Sequence, residues 1–271
     1  MREGPAFPSG TPPRVSGAES LPDGRGSYNP MLTVRNLSKT FGRTIALSGV
    51  SFTLDRAHTL GVVGSSGSGK STLARCLAGF ETPTSGEILF SGDRLQLQLI
   101  FQQPAASLNP RFTAAEIVEE PLLIQRRGAP AERREHAAAA LELVGIARSA
   151  LGKRAHQFSG GERQRLAIAR SLVVEPRLLI LDESFNGLDP SLSLQISALL
   201  GELQQRLGLT YILISHDLEL VAGTADEIAV MEGGRLVEHG PAATVMNSPQ
   251  HPRTQELIAA NLALGGGGRT A

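Results

Sequence analysis

Two short glycine- and serine-rich stretches in this chain carry the residue types that hold phosphate. The first, GSSGSGKST at residues 64 to 72, fits the pattern G-x-x-x-x-G-K-[ST] and lies between the apolar strand pattern TLGVV and the helical pattern STLARCLAGF. Gly64, Gly67 and Gly69 allow backbone N–H groups to turn onto phosphate oxygens, with Ser65, Ser66 and Ser68 completing the loop. The helix behind them adds its positive end. Lys70 is placed to reach β and γ phosphates, Ser71 to offer a hydroxyl to Mg²⁺, and Thr72 closes the motif. The second stretch, FSGGE at 158 to 162, opens the helical pattern ERQRLAIARSLVV, whose first N–H groups and Ser159 hydroxyl also suit an anion. A chain with one complete phosphate loop has no evident need of a second anion site some ninety residues further on.

Two further strands end in residues that could act on a phosphate. RLLILDE ends in Asp182, placed to hold Mg²⁺ through water, and Glu183, placed to polarise an attacking water as general base. Acids at a strand end are commonly only solvated loop residues, and the phosphate loop is what gives this pair a catalytic reading. TYILISHD delivers His216 to the same kind of edge, where ligands bind in open α/β sheets, and this favours a γ-phosphate sensor over a structural histidine.

The elements that must position these residues follow from hydrophobic patterning. LGVVG, RLLILDE and TYILISHD are continuously apolar, as strands covered on both faces must be, and so belong at the centre of a parallel sheet. MLTVRNL and GVSFTL alternate with period two and predict a partly exposed antiparallel sheet. Residues 112 to 146 carry helical spacing interrupted at Gly128 and Pro130 and read as a helical insertion. The expected fold is therefore α/β, with a mostly parallel sheet, an antiparallel β subdomain and an inserted helical subdomain over about 105–175, all within residues 31–264. Residues 1–30 are rich in proline, glycine and serine and lack both an apolar period and a signal-peptide h-region. They read as a disordered tail, with translation starting at Met1 or Met31; residues 265–271 read as a flexible tail.

Composition bounds the function. Among 271 residues, 26 basic and 26 acidic side chains cancel, so nothing in the overall charge draws the chain to nucleic acid or an anionic bilayer. The single cysteine, Cys76, leaves no disulfide framework and no cysteine-built metal cluster, and it reads as a small apolar residue on a buried helix face. No stretch approaches the roughly 18 apolar residues of a membrane span.

Taken in order, these motifs resemble the ATP-binding subunits of ABC transporters, over nearly all of Met31 to Leu264. GSSGSGKST resembles the Walker A motif, FQQ the Q-loop with Gln102, FSGGE the signature, LLILDE the Walker B motif, GLD the D-loop with Asp189, and SHD the switch with His216. The resemblance implies that Phe41 stacks on adenine and that Gln102 touches Mg²⁺ or water while marking the hinge into the helical insertion. It also implies why there are two anion sites. Two cassettes close head to tail, so that Ser159, Gly160, Gly161 and Glu162 of one chain meet the ATP held by the other.

FQQPAASLNPRFTAAEIVEEPL and SPQHPRTQELI are in turn similar to stretches of oligopeptide, dipeptide and nickel importer ATPases. That likeness implies ATP and Mg²⁺ as ligands, permease subunits and a second ATPase, identical or related, as partners, and an extracytoplasmic binding protein acting indirectly. The place of action would be the cytoplasmic face of a bacterial inner membrane. The alternatives are a soluble ABC ATPase outside transport, against which stands the lack of a second cassette, charged linker or long coiled coil, and a regulatory cassette that hydrolyses weakly. A P-loop kinase or GTPase leaves FSGGE unexplained.

Three departures from the family pattern stand out. Ser184 replaces the usual proline after the Walker B glutamate, which would loosen the turn toward Asp189. The signature has Phe158 and Glu162 in place of leucine and glutamine. The stretch before the Q-loop is short, and the alternation of Leu95, Leu97 and Leu99 predicts one strand spanning it.

Overall fold

The structure, a computed structural model, describes residues 30–101 and 104–265. The expectations for tails 1–29 and 266–271, and every role assigned to Gln102, lie outside the described residues.

Strands β1 (Leu32–Phe41), β2 (Thr44–Leu54) and β4 (Ser85–Phe90) form an antiparallel sheet in the order β2-β1-β4. A second sheet has the order β5-β6-β7-β3-β8-β9, where β5 is Leu97–Ile100, β6 Leu178–Asp182, β7 Thr210–Ile214, β3 Thr59–Gly64, β8 Glu227–Glu232 and β9 Arg235–Pro241. Its first five strands run parallel and β9 is antiparallel. The three continuously apolar strands are its centre, and their alternate residues serve two different cores. Leu179 and Leu181 of β6 join a cluster with Leu213 of β7 and Val230 of β8, while Leu178 and Ile180 face the other way with Ile212 and Ile214. Burial on both faces is why these runs show no alternation.

Helix α1 (Lys70–Ala78) covers one face together with the antiparallel sheet, and Cys76 is fully buried there. The other face is covered by α4 (Gly160–Leu172), α5 (Pro190–Leu207) and α6 (Leu218–Thr224), with α2 (Ala114–Ile124) and α3 (Pro130–Leu143) packed on α4. The break between α2 and α3 contains Gly128, at φ 72°, and Pro130 opens α3, as the sequence breakers predict. Helices α7 (Ala242–Asn247) and α8 (Pro252–Gly265) follow β9.

One expectation is corrected. Leu95 does not extend a strand: Arg94–Gln96 is a 3₁₀ turn and only Leu97–Ile100 pairs with β6. Asp93 is the cause, since its carboxylate accepts from Leu95 N at 2.9 Å while Gln96 Oε1 accepts from Asp93 N at 3.2 Å. This local closure is incompatible with extended backbone, and it leaves Leu95 exposed.

Candidate nucleotide site

The phosphate loop leaves β3 and enters α1 at the C-terminal edge of the parallel sheet. Gly64, Gly67 and Gly69 have φ of 154°, 78° and 106°, of which the last two are squarely left-handed. Gly69 is doubly constrained, because a Cβ there would lie 2.6 Å from the Ala46 carbonyl oxygen on β2. Ser68 is buried, donates its N–H to the Ser65 carbonyl at 3.1 Å and accepts from Gly234 N at 3.0 Å, so the loop is clamped from below by the β8–β9 turn. Ser66 and Gly67 are exposed at its tip; Ser65 and Thr72 are half-buried.

Lys70 is 5% exposed and curls onto its own loop, donating Nζ to the carbonyls of Gly64 at 2.8 Å and Ser65 at 2.9 Å. Burial pushes its ammonium pKa below the ordinary value, against the opposing pull of Glu183 and Asp182. Ser71 donates Oγ to Asp182 Oδ1 at 3.1 Å and so joins the loop to the acidic end of β6. Asp182 is itself buried, and that burial raises its carboxyl pKa in spite of the Ser71 bond; the neighbouring Glu183 charge pushes in the same upward direction. A hydroxyl and a carboxylate side by side, with the cationic lysine close by, are hard-oxygen chemistry that suits Mg²⁺ held chiefly by phosphates, so this donor set fits the ion.

Glu183 follows, half-buried, with φ 50° and its N–H on the Ile214 carbonyl of β7 at 2.9 Å. Asn186 Nδ2 donates to Glu183 Oε2 at 2.8 Å, a partner that the sequence did not announce because an asparagine in a loop carries no spacing signal. His216 lies exposed two residues beyond the end of β7, the strand paired to both β3 and β6. Asp189 caps α5 by accepting from Leu192 N at 2.9 Å.

Phe41 ends β1 and is 43% exposed, with Lys39 Nζ 4.6 Å from its ring centre. Its hairpin partner β2 carries Ala46, the residue against Gly69, so the ring sits on the hairpin that flanks the loop. Lys39, held by Glu81 at 2.9 Å and by the Thr82 carbonyl at 2.8 Å, is a further residue that sequence reading missed.

The signature stretch opens α4 through a capping box. Ser159 Oγ accepts from Glu162 N at 3.3 Å, and Glu162 Oε2 accepts from Ser159 N at 2.8 Å. That second bond, first among its causes, holds the Glu162 carboxyl below the usual range. Gly160 and Gly161 follow Ser159 at the helix start; Gly160 has open space around it, whereas a Cβ on Gly161 would meet Leu192 of α5 at 2.8 Å. Phe158 is buried in the helical core and anchors the turn. Ser159 and Glu162 are spent on each other in the isolated chain, while all four residues remain half-buried or exposed.

A cleft of about 420 Å³ lies between the residues following β5 and the start of α4, lined among others by Ala105, Arg163, Gln164, Ser184 and Asn186. Ser184 does not loosen the turn toward Asp189: it is buried and bonded on both its hydroxyl and its carbonyl.

Comparison with known proteins agrees with this geometry. The profile described as "ABC transporter" matches residues 47–186. The chain is 46% identical over 228 residues to the dipeptide transport ATP-binding protein DppF of Escherichia coli strain K12, covering 79% of this chain and 68% of that protein. Among solved structures it resembles cbiO1 of Clostridium perfringens, described as part of the ABC transporter complex cbiONQ, at 30% identity and a TM-score of 0.75 over 88% of this chain and 96% of that one. It also resembles a dimeric ATP-binding cassette in a post-hydrolysis state bound to ADP and Pi, at 28% identity and a TM-score of 0.67 over 78% and 99% of the two chains. A phosphate loop, an acidic strand end and a capped signature helix assembled in this order have one common explanation, and the chain belongs to the ABC transporter family as an ATP-hydrolysing cassette.

Proposed function

We propose that this cassette powers a peptide or nickel importer from the cytoplasmic face of a bacterial inner membrane. The observation that carries the transport reading is its likeness to a dipeptide transport ATP-binding protein over most of its length. Among the described residues no helix is long and apolar enough to cross a membrane, so on this reading membrane attachment runs through permease subunits. A second cassette, identical or related, completes the ATP site, and an extracytoplasmic binding protein delivers cargo to the permease.

In this proposal the adenine stacks on the free face of Phe41, whose other face is backed by Lys39. The loop from Gly64 to Gly69 wraps the phosphates with N–H groups, and Lys70 exchanges its carbonyl partners for phosphate oxygens. Ser71 and Asp182, with Gln102, are the residues that would hold Mg²⁺. When bound, Mg²⁺ would offset the charge of the phosphate oxygens. Glu183 accepts a proton from the attacking water while the water oxygen bonds to the γ phosphorus; the bond to the ADP oxygen breaks and ADP leaves. His216 senses the γ phosphate, and Asp189 contacts the partner cassette.

The partner's signature residues close the site. Gly160 and Gly161 supply N–H groups to the γ phosphate, and the binding energy released there drives closure of the pair. Hydrolysis removes the shared anion and the pair reopens.

The test is transport in vesicles that hold this chain, its permease and its binding protein. Uptake of a radiolabelled dipeptide that requires ATP and disappears in Lys70→Ala is the expected result. ATP-dependent uptake of Ni²⁺ with no dipeptide uptake would select the metal branch, and ATP turnover unaffected by permease or binding protein would contradict the importer reading.

A further inference from the structure

The residue after Glu183 is a buried polar side chain that the hydrolysis scheme leaves unused. Ser184 is 1% exposed; its hydroxyl donates to the Ile100 carbonyl at 3.0 Å, and its own carbonyl accepts from Gln164 Nε2 at 3.0 Å. Ile100 is the last residue of β5, and Gln164 is a buried residue of the signature helix α4. One residue thus ties the strand that leads toward position 102, the helix that begins at the signature, and the candidate base.

Glu183 needs such ties. Its φ of 50° is a left-handed backbone, which a residue with a Cβ holds only where its surroundings over-determine it. Here the ties are the Glu183 N–H on Ile214, the Asn186 N–H on the Glu183 carbonyl at 3.1 Å, and the two bonds of Ser184. A proline at 184 would lack the hydroxyl and would bias residue 183 toward extended backbone.

We propose that Ser184 is a positioning residue for Glu183, fixing its backbone between the end of β5 and the signature helix so that a shift of α4 reaches the base. This rests on the reading of Glu183 as the base, and Ser184 acts only through it. A purely structural serine would satisfy the Ile100 carbonyl and matter equally with or without Glu183.

The test compares wild type, Ser184→Ala, Glu183→Gln and the double variant in the assembled transporter. MgATP turnover is measured for all four, and binding of a fluorescent ATP analogue beside it. Ser184→Ala is expected to lower kcat about tenfold, a loss in the range that small misplacements of a reacting group produce. KM and analogue affinity should stay within about twofold, and in the Glu183→Gln background the same change should alter residual turnover by less than about twofold, since coupled residues are not additive. Ser184→Cys, of similar shape but a weak donor, should show the same split and covers the case in which alanine fails to fold. Unchanged kcat in a folded Ser184→Ala or Ser184→Cys, or equal losses in both backgrounds, would overturn the proposal. Near-normal turnover in Glu183→Gln alone would instead remove the base assignment, and the proposal with it.

Discussion

Ser71 Oγ and Asp182 Oδ1, 111 residues apart in sequence, are joined by a 3.1 Å hydrogen bond that closes the phosphate loop onto the acidic end of β6. The bond pins a carboxylate that burial would prefer neutral. Its folded pKa lies above its ordinary value, so the folded chain binds that proton more tightly than the unfolded chain. Stability from this group is present below the ordinary carboxylate range and is lost as pH rises through the folded pKa.

Asp182→Asn removes that cost and keeps an oxygen for Ser71. At pH 8 the variant should melt higher than wild type by a few degrees, corresponding to about 1 kcal/mol, with the gain shrinking at acid pH. It should lose MgATP turnover at the same time. Thermal melts across pH check the first half, and a phosphate-release assay the second. A lower melting temperature at pH 8 would contradict the burial argument.

Glu162 offers a test of the signature. Glutamine at 162 retains a carbonyl oxygen to accept from Ser159 N, so the capping box survives while the charge disappears. Because the same helix start is assigned to the partner's γ phosphate, removing a nearby like charge should tighten ATP binding. A fall in KM of about threefold is expected, larger at low salt, with a small drop in melting temperature near neutral pH, because the charged carboxylate stabilises the helix start. An unchanged KM at low salt would place Glu162 away from the shared nucleotide.

The C-terminal stretch SPQHPRTQELI has a physical role that can be checked independently of nucleotide. Glu238 of β9 accepts from Gln250 N at 2.8 Å and His251 N at 3.0 Å, holding the start of α8 against the sheet. Partial burial pushes its pKa up, but the N–H bonds from Gln250 and His251 and the nearby His251 ring outweigh that and leave it below the usual value. Its contribution is therefore present above the ordinary glutamate range and lost as pH falls through the folded pKa. Glu238→Gln should cost about 1 kcal/mol near neutrality, with less difference at pH 4, and should leave ATP turnover near wild type. Chemical denaturation at the two pH values measures it.

The order of the site was legible in the sequence because each part rests on local pattern. Buried parallel strands must be continuously apolar, so the strands before Gly64, ending at Asp182 and preceding His216 could be placed side by side without a structure. Glycines at left-handed positions and a serine at a helix start are equally local. What could not be read depends on side chains meeting across the fold. Asn186 on Glu183, Lys39 beneath Phe41 and Ser184 between β5 and α4 have no spacing to betray them. The expectation of a loosened turn at Ser184 failed for this reason, since a missing proline was visible and its hydrogen-bonded replacement was not. The strand expected through Leu95 failed because Asp93 captures the backbone two residues on, a choice that alternation alone cannot detect.

The central claim is that Glu183 is the base of an ATPase whose nucleotide is bound by the loop from Gly64 to Thr72. The most direct measurement is MgATP turnover by the assembled transporter with Glu183→Gln, beside affinity for a fluorescent ATP analogue. The account predicts undiminished binding and a loss in kcat of about 10²–10⁴, the usual contribution of a general base. Near-normal turnover in that variant would contradict it.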